Sequence, residues 1–430
     1  MEDLKKKLQN KIQNPVLDER EIKNILYEYF LRNNDFSDKK ILVIIPDTTR
    51  SGPTHIFFHT ILDLLLEKVK KVDFMIALGT HQQIPEEKLK GFLELSGDEK
   101  TEIFQHQWDN PEQLKEIGVI KKKEIERLTG GLLKEDIPVK INKKIFEYDE
   151  IVISGPVFPH EVVGFSGGYK YFFPGICGPE FLHKFHWLGA LITNPKVNGT
   201  KKTPVRDTIN IATSFINKRV HLINYVVKGN SVYGVFVGDT DAWEKAADLS
   251  SEINIKYVEK PYKLVISIVP QMYEDIWTAG KGMYKLEPVV EDGGRLIIYA
   301  PHITEVSYTH GKYIEQVGYH TRDYFLKQWD KFKDFPGAII AHSTHVKGIG
   351  TFIDGVEKAR IEVILATGIS EDVCKKINLG YVNPDSLNID DFKNREEEGI
   401  LVVEKAGEVL YKLKNGKVPD INQLYKKEKK

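Results

Sequence analysis

Residues 40–81 read KILVIIPDTTRSGPTHIFFHTILDLLLEKVKKVDFMIALGTH, and this stretch decides the fold. Residues 41–45 form an unbroken apolar run closed by Pro46 and Asp47, which reads as a buried strand ending in a loop. Residues 56–70 then place apolar side chains at three- and four-residue spacing, the period of a helix. Residues 72–79 give a second strand, again ending in a polar loop, Gly79-Thr80-His81. Residues 85–96 start another helix, with Pro85 at its head and acids in its first turn. This β–α–β–α rhythm implies a mostly parallel sheet flanked by helices. Such sheets bind ligands beyond the carboxyl ends of their strands, so the loops after Pro46 and Leu78 are where chemistry is expected.

Working outward, residues 150–159 resemble a third strand running into the glycine-rich loop at 164–168. Residues 220–239 read as a hairpin around Gly229-Asn230-Ser231, and residues 241–253 as a short helix. The polar, proline-containing stretch at 257–262 marks a boundary near residue 260. Beyond it, strands are expected at 264–270, 295–301, 337–343 and 361–367, with the segment from Leu401 packing back on the first unit. A chain of 430 residues is too long for one ordinary core. The expected architecture is therefore α/β: two mixed α/β domains with Rossmann-like sheets flanked by helices and a site in the interdomain cleft. The domains are expected at 1–260 plus 402–430, and at 261–401.

Composition narrows the class of function. Hydrophobic residues make up 41% and charged residues 29%, a globular mix. The formal net charge of −1 offers no electrostatic case for nucleic acid or an anionic membrane. Lysine runs at 5–7, 121–123 and 426–430 read as solvated faces and tails. Only Cys177 and Cys374 are present, so a disulfide framework is not expected and a reducing cytoplasm is the default. The charged start, MEDLKKKLQNKIQN, is not a secretory signal, and no apolar run approaches the ~20 residues of a membrane span. Few Met and Cys with abundant Lys, Glu and Ile hint at a thermophile.

The densest constellation is HEVVGFSGGYKYFFPGICGPEFLHKFH at 160–186. Ser166-Gly167-Gly168 forms a turn whose N–H groups suit an anion, and Lys170 beyond it is a point charge or a covalent anchor. The spacing of a P-loop is absent. Glu180, His183 and His186 lie three apart, roughly on one face of a helix for which Pro174 and Gly175 suit the start. A histidine there can ligate a transition metal, although His183 alone reads as structural and Cys177 as core. Asp47 and Arg50 follow the first strand, and Arg is the natural bidentate partner of a carboxylate. His81 and His160 each follow a strand, where a general base would stand; two such residues suit a racemase, which exchanges protons on either side of one carbon. Lys281, near a helix start in the second unit, would reach a carboxylate across the cleft.

DTTR (47–50), LGTH (78–81), HEVVGFSGGYKYFFPGI (160–176), the later His186 and GKG (280–282), in this order and spacing, resemble the nickel-dependent lactate racemase family. The resemblance implies a two-domain α/β isomerase with its active site in the interdomain cleft. It implies a nickel pincer nucleotide as cofactor, a nickel pyridinium-3,5-bisthiocarboxylic acid mononucleotide joined covalently to Lys170, with His186 completing the metal's coordination. By the same resemblance His81 and His160 are the acid/base pair, and Asp47, Ser166, Gly167 and Gly168 lie on the cofactor. Arg50 and Lys281 would hold the substrate carboxylate. The implied mechanism is proton-coupled hydride transfer through a planar 2-keto acid. The implied partners are a small 2-hydroxy acid and, transiently, the enzymes that make the cofactor; neither nucleic acid nor membrane is expected.

The chain departs from the family at two places on the substrate side. A glutamine common three residues before the second-domain lysine is Thr278 here, and the stretch after the next strand is replaced by HITEVSYTHGKYIEQVGYH (302–320). Thr278, His302, Tyr308, His310 and the later His345 then suit a larger, hydroxylated substrate such as a sugar acid, because buried hydroxyls need matched partners. Lactate racemization proper and a non-catalytic nickel- or ligand-binding homologue are the alternatives. A dehydrogenase with diffusible NAD lacks its GxGxxG after the first strand.

Overall fold

The computed structural model describes residues 16–32 and 35–428. The charged start, the lysine run at 5–7 and the last two lysines of the C-terminal run lie outside the described residues. Strand β1 (Lys40–Ile45) is the centre of the first sheet, and Ile41 to Ile45 are at most 1% exposed, as a strand covered on both faces requires. Helix α1 (Thr54–Leu65) packs its apolar residues on the sheet and leads to β2 (Lys71–Ile76), which pairs parallel to β1. A helix at Glu86–Leu93 precedes β3 (Ile103–Gln105), parallel to β2. The chain then returns to the other side of β1 as β4 (Glu150–Pro156). Because β2 and β4 leave β1 in opposite directions, a crevice opens beyond the carboxyl ends of β1 and β4, the place where such sheets bind ligands.

Helices α2 (Pro179–Ile192) and α3 (Pro204–Ser214) follow, then the antiparallel hairpin of β5 (Arg219–Lys228) and β6 (Ser231–Gly238). The sheet order is β6-β5-β4-β1-β2-β3. Helix α4 (Thr240–Asn254) leads into β7 (Ile255–Val258). The second sheet is wholly parallel: β8 (Tyr262–Ile268), β9 (Val290–Ala300), β10 (Glu362–Thr367), β11 (Gly380–Tyr381) and β12 (Ile400–Val403), in the order β11-β10-β9-β8-β12. The expected α/β class and its helix-flanked parallel sheets are what the chain adopts.

Three local expectations are corrected. Residues 337–343 are not a strand but the first two turns of a helix, Gly337–Lys347. Every side chain from Ala338 to Val346 is buried, so the apolar run carries no period, and a helix buried all round cannot be told from a buried strand by pattern alone. It packs on α2 so closely that a Cβ on Gly337 would stand 2.6 Å from the His183 carbonyl oxygen. The metal-candidate helix starts at Pro179 rather than beside Pro174, since Cys177 bridges to Ile141 and Gly178 is extended. The chain also leaves the second unit later than residue 402: Ile400–Val403 is a strand of the second sheet, and only β13 (Leu410–Leu413) pairs with β7.

Among the described residues no helix is long and apolar enough to cross a membrane. Cys177 and Cys374 are buried and free.

Candidate active site

The crevice is closed by the second unit into a cavity of about 130 Å³, continuous in lining with an outer chamber of about 330 Å³ that shares Asp47, His81, Trp277 and Thr278. The first-sheet contributors stand just beyond strand ends, and the others come from the glycine-rich turn and from helices. Asp47 and Arg50 follow β1, His81 follows β2, His160 follows β4, and Lys170 and His186 come from the glycine-rich turn and α2. Lys281, His342 and His345 face them from the second unit.

Asp47 and His81 form a pair that sequence reading did not foresee. The Asp47 Oδ1 accepts from the Thr49 N–H at 3.0 Å and from its hydroxyl at 2.8 Å, while Oδ2 is in close contact with His81 Nδ1. Burial alone would raise the Asp47 pKa. The neighbouring His81, Arg50 and Lys281 outweigh that and hold the carboxyl well below its usual range. An ionised carboxylate only accepts, so His81 donates to it from Nδ1.

His160 has the opposite arrangement. Its Nδ1 accepts the Val162 N–H at 3.2 Å, which leaves the proton of the neutral ring on Nε2. Burial, then the charges of Lys170, Arg50 and Lys285, drive its pKa well down, so the ring is neutral. Glu161, beside it, also lines the cavity and was missed. Burial would raise its pKa, but Lys285, His345 and Arg50 hold it low, so it is a carboxylate among cations.

The Lys170 pKa falls to about 7, first by burial and then by Arg50, with Glu161 and Asp47 opposing. Its turn is tied down from behind: Gly168 N–H donates to Asn224 Oδ1 at 3.1 Å and Trp243 Nε1 to the Ser166 carbonyl at 2.9 Å. Gly167 and Gly168 hold φ of 78° and 58°, the left-handed region that glycine tolerates, and a Cβ on Gly167 would stand 2.6 Å from Val157. Ser166 lines the cavity, yet its hydroxyl is spent locally on the Pro156 carbonyl and the Phe158 N–H; Gly168 turns away from it.

Of the three residues spaced along α2, only His186 faces the cavity. Its Nδ1 donates to the Leu182 carbonyl at 2.7 Å, leaving Nε2 as a free lone pair, and burial lowers its pKa to about 3. Glu180 is paired with Lys140, and His183 packs edge-on to Trp108. Cys177 is core, its thiol pKa pushed up by burial. No group of three or more His, Cys, Asp or Glu among the described residues could hold a metal by itself.

On the second unit, Lys281 reaches across to the Thr49 carbonyl at 3.3 Å and lies 4.4 Å from the centre of the Tyr273 ring. Burial, and then Arg50, push its pKa well down. Thr278 lines the cavity, but its hydroxyl is held by Asp275 Oδ1 at 2.8 Å. His345 lines the cavity with Nε2 unpartnered, as does His342 with Nδ1 unpartnered and its ring stacked on Trp277 at 4.2 Å. Tyr308 reaches only the outer chamber. His302 Nε2 donates to the Tyr273 carbonyl at 3.0 Å, and His310 packs on Trp277; neither lines the cavity.

The fold and this cleft define a class: a two-sheet α/β protein with paired histidines, a depressed lysine and a lone metal-competent histidine around one small cavity. Residues 2–199 match the model of the lactate racemase N-terminal domain. The chain is 28% identical over 269 residues to the lactate racemase of Thermoanaerobacterium thermosaccharolyticum and 25% identical over 272 residues to that of Lactiplantibacillus plantarum. These alignments cover 61% and 60% of this chain and 60% and 59% of the relatives, so they span well under two thirds of those proteins' length. A crystal structure of a Thermotoga maritima protein superposes with TM-score 0.86 at 35% identity, over 93% of this chain and 99% of that one. The lactate racemase apoprotein of T. thermosaccharolyticum shares the fold, with TM-score 0.70 at 21% identity over 92% and 93% of the two chains. What the chain is similar to is therefore the lactate racemase family, most directly through the N-terminal domain at residues 2–199.

Proposed function

We propose that this protein is a racemase or epimerase that inverts C2 of a 2-hydroxy acid, with a nickel pincer nucleotide carried on Lys170. The observation that carries the reading is the opposite hydrogen bonding of two imidazoles at one cavity: His81 donates from Nδ1 to Asp47, whereas His160 accepts at Nδ1 from the Val162 N–H. Inversion at a carbinol carbon needs one group to take the hydroxyl proton and another to give one back. His81 serves as the base, kept in its tautomer by Asp47, and His160 as the acid; their roles exchange in the reverse direction. Arg50 and Lys281 fix the carboxylate from the two sides of the cleft.

The donors around the cavity fit the proposed cofactor. A lysine with a pKa of about 7 is substantially unprotonated at neutral pH and competent to form an amide or thioamide link. His186 offers a single imidazole lone pair, suited to a metal whose other ligands arrive with the organic group. When bound, the group would supply the acceptor and donor for the hydrogen at C2. Glu161 and the surrounding cations set the field in which charge on the substrate oxygen develops.

The substrate is proposed to be larger and more hydroxylated than lactate. His342 and His345 leave polar nitrogens unpartnered in the wall, and a hydroxylated tail would satisfy them. The test is a panel of 2-hydroxy acids incubated with cofactor-loaded protein and followed for inversion at C2. Preference for an aldonic acid over lactate supports the substrate reading. Equal or better turnover of lactate removes it, and inversion of no 2-hydroxy acid removes the reaction itself.

A further inference from the structure

A second cavity, of about 280 Å³, lies on the other side of the glycine-rich turn, where Gly168 and Tyr169 form one wall. Arg206 lines it and is only 4% exposed. Its guanidinium lies 4.1 Å from the centre of the Trp243 ring, and its Nη2 donates to the Phe165 carbonyl, but Nε has no hydrogen-bond partner. Among the described residues no carboxylate forms an ion pair with it. A buried charge without a counter-ion carries a desolvation cost that ring and carbonyl contacts offset only in part.

The setting makes this cation still less favourable in isolation. Arg206 stands in the first turn of α3, where the helix end is itself positive. Thr240, in the first turn of α4, borders the same space, so a second positive helix end adjoins it. Lys201 and Lys202 complete the basic rim; Lys201 is paired with Asp248 at 2.6 Å, whereas Lys202 is exposed. The carboxylates of the lining, Asp207 and Glu244, sit on solvent-accessible positions and leave Arg206 uncompensated. Each of these unfavourable features becomes favourable if an anion occupies the cavity.

We propose that this cavity is a binding site for a phosphate group, presented by inorganic phosphate or by a small phosphate monoester, separate from the catalytic cleft. Arg206 and Lys202 hold the anion, Trp243 closes the floor, and the occupant rests against Tyr169, next to Lys170 in the chain.

The test is calorimetric titration of the full chain with inorganic phosphate and, in a second arm, with adenosine 5′-monophosphate, at a constant ionic strength of about 0.15 M. One saturable site is expected. Tighter binding of the nucleotide would name a monoester as the natural ligand, and tighter binding of phosphate would name the free ion. Lys202→Glu, a surface change that leaves the fold intact, should weaken binding by about tenfold or more. Arg206→Gln should abolish it; where that variant fails to fold, the Lys202 variant decides. Arg50→Gln, in the catalytic cleft, should bind as the parent does. The proposal is overturned if neither anion binds saturably, or if Lys202→Glu binds normally. It is equally overturned if binding is lost in Arg50→Gln and kept in Lys202→Glu, which would assign the anion to the cleft.

Discussion

At the residue scale, the account turns on hydrogen bonds that set which nitrogen carries a proton. Asp47→Asn keeps the shape but can donate to His81 Nδ1, which would reverse the histidine's tautomer. Turnover should fall roughly 10²–10⁴-fold with little change in KM. Unchanged turnover in steady-state assays would show that Asp47 does not orient His81. Lys170 makes a second prediction. With its pKa near 7, labelling by an amine-reactive ester, followed by peptide mass analysis, should rise from pH 6 and level off above about 8. An ordinary lysine would keep gaining about tenfold per unit to well above that. The strand-end rule was enough to single out Asp47, Arg50, His81 and His160, because each follows an apolar run directly. Glu161 escaped notice because its direction depends on the tight turn that follows His160. The Asp47–His81 bond joins the ends of two strands, and no local spacing encodes it.

At the element scale, β1, β2 and β4 were legible because central parallel strands are apolar throughout and end on turn residues. The helix Gly337–Lys347 was not, since complete burial erased its period. That helix also carries His342 and His345 into the cavity, so His345, singled out on the substrate side, lines the cleft from a helix rather than from a strand end. Its near-contact with His183 predicts that Gly337→Ala forces this helix and α2 apart. Helix α1 is anchored by Phe57, fully buried and stacked on Tyr225 at 4.0 Å with an interplanar angle of 10°. Phe57→Ala should cost about 3–5 kcal/mol of unfolding free energy, read from the shift of a urea transition. A loss near zero would mean that α1 is not held by this contact.

At the scale of the whole molecule, the two sheets are tied across the cleft by Lys281 to Thr49, by Glu408 to the Ser51 N–H at 2.9 Å, and by Lys285 to the Pro159 carbonyl. Buried neutral histidines are spread through both: burial lowers His106, His310 and His345 to about 4 and His342 to about 3, and drives His160 well down. The unfolded chain binds these protons near the ordinary value of about 6.5, whereas the folded chain resists them. Their contribution to stability is therefore full above that value and is lost as pH falls toward the folded values. Each proton taken up preferentially on unfolding costs about 1.4 kcal/mol per pH unit. Melting temperature should drop steeply between pH 6.5 and 4.5, and a flat profile there would contradict the buried, neutral assignment.

The central claim is that Lys170 carries the cofactor of a 2-hydroxy acid racemase or epimerase. Intact-mass measurement, on the chain produced together with cofactor-making enzymes, tests it most directly. The account predicts a covalent mass increase that peptide mapping assigns to Lys170, accompanied by nickel and absent from Lys170→Ala, which should be inactive. The same adduct on Lys170→Ala, or near-normal turnover by that variant, would contradict it.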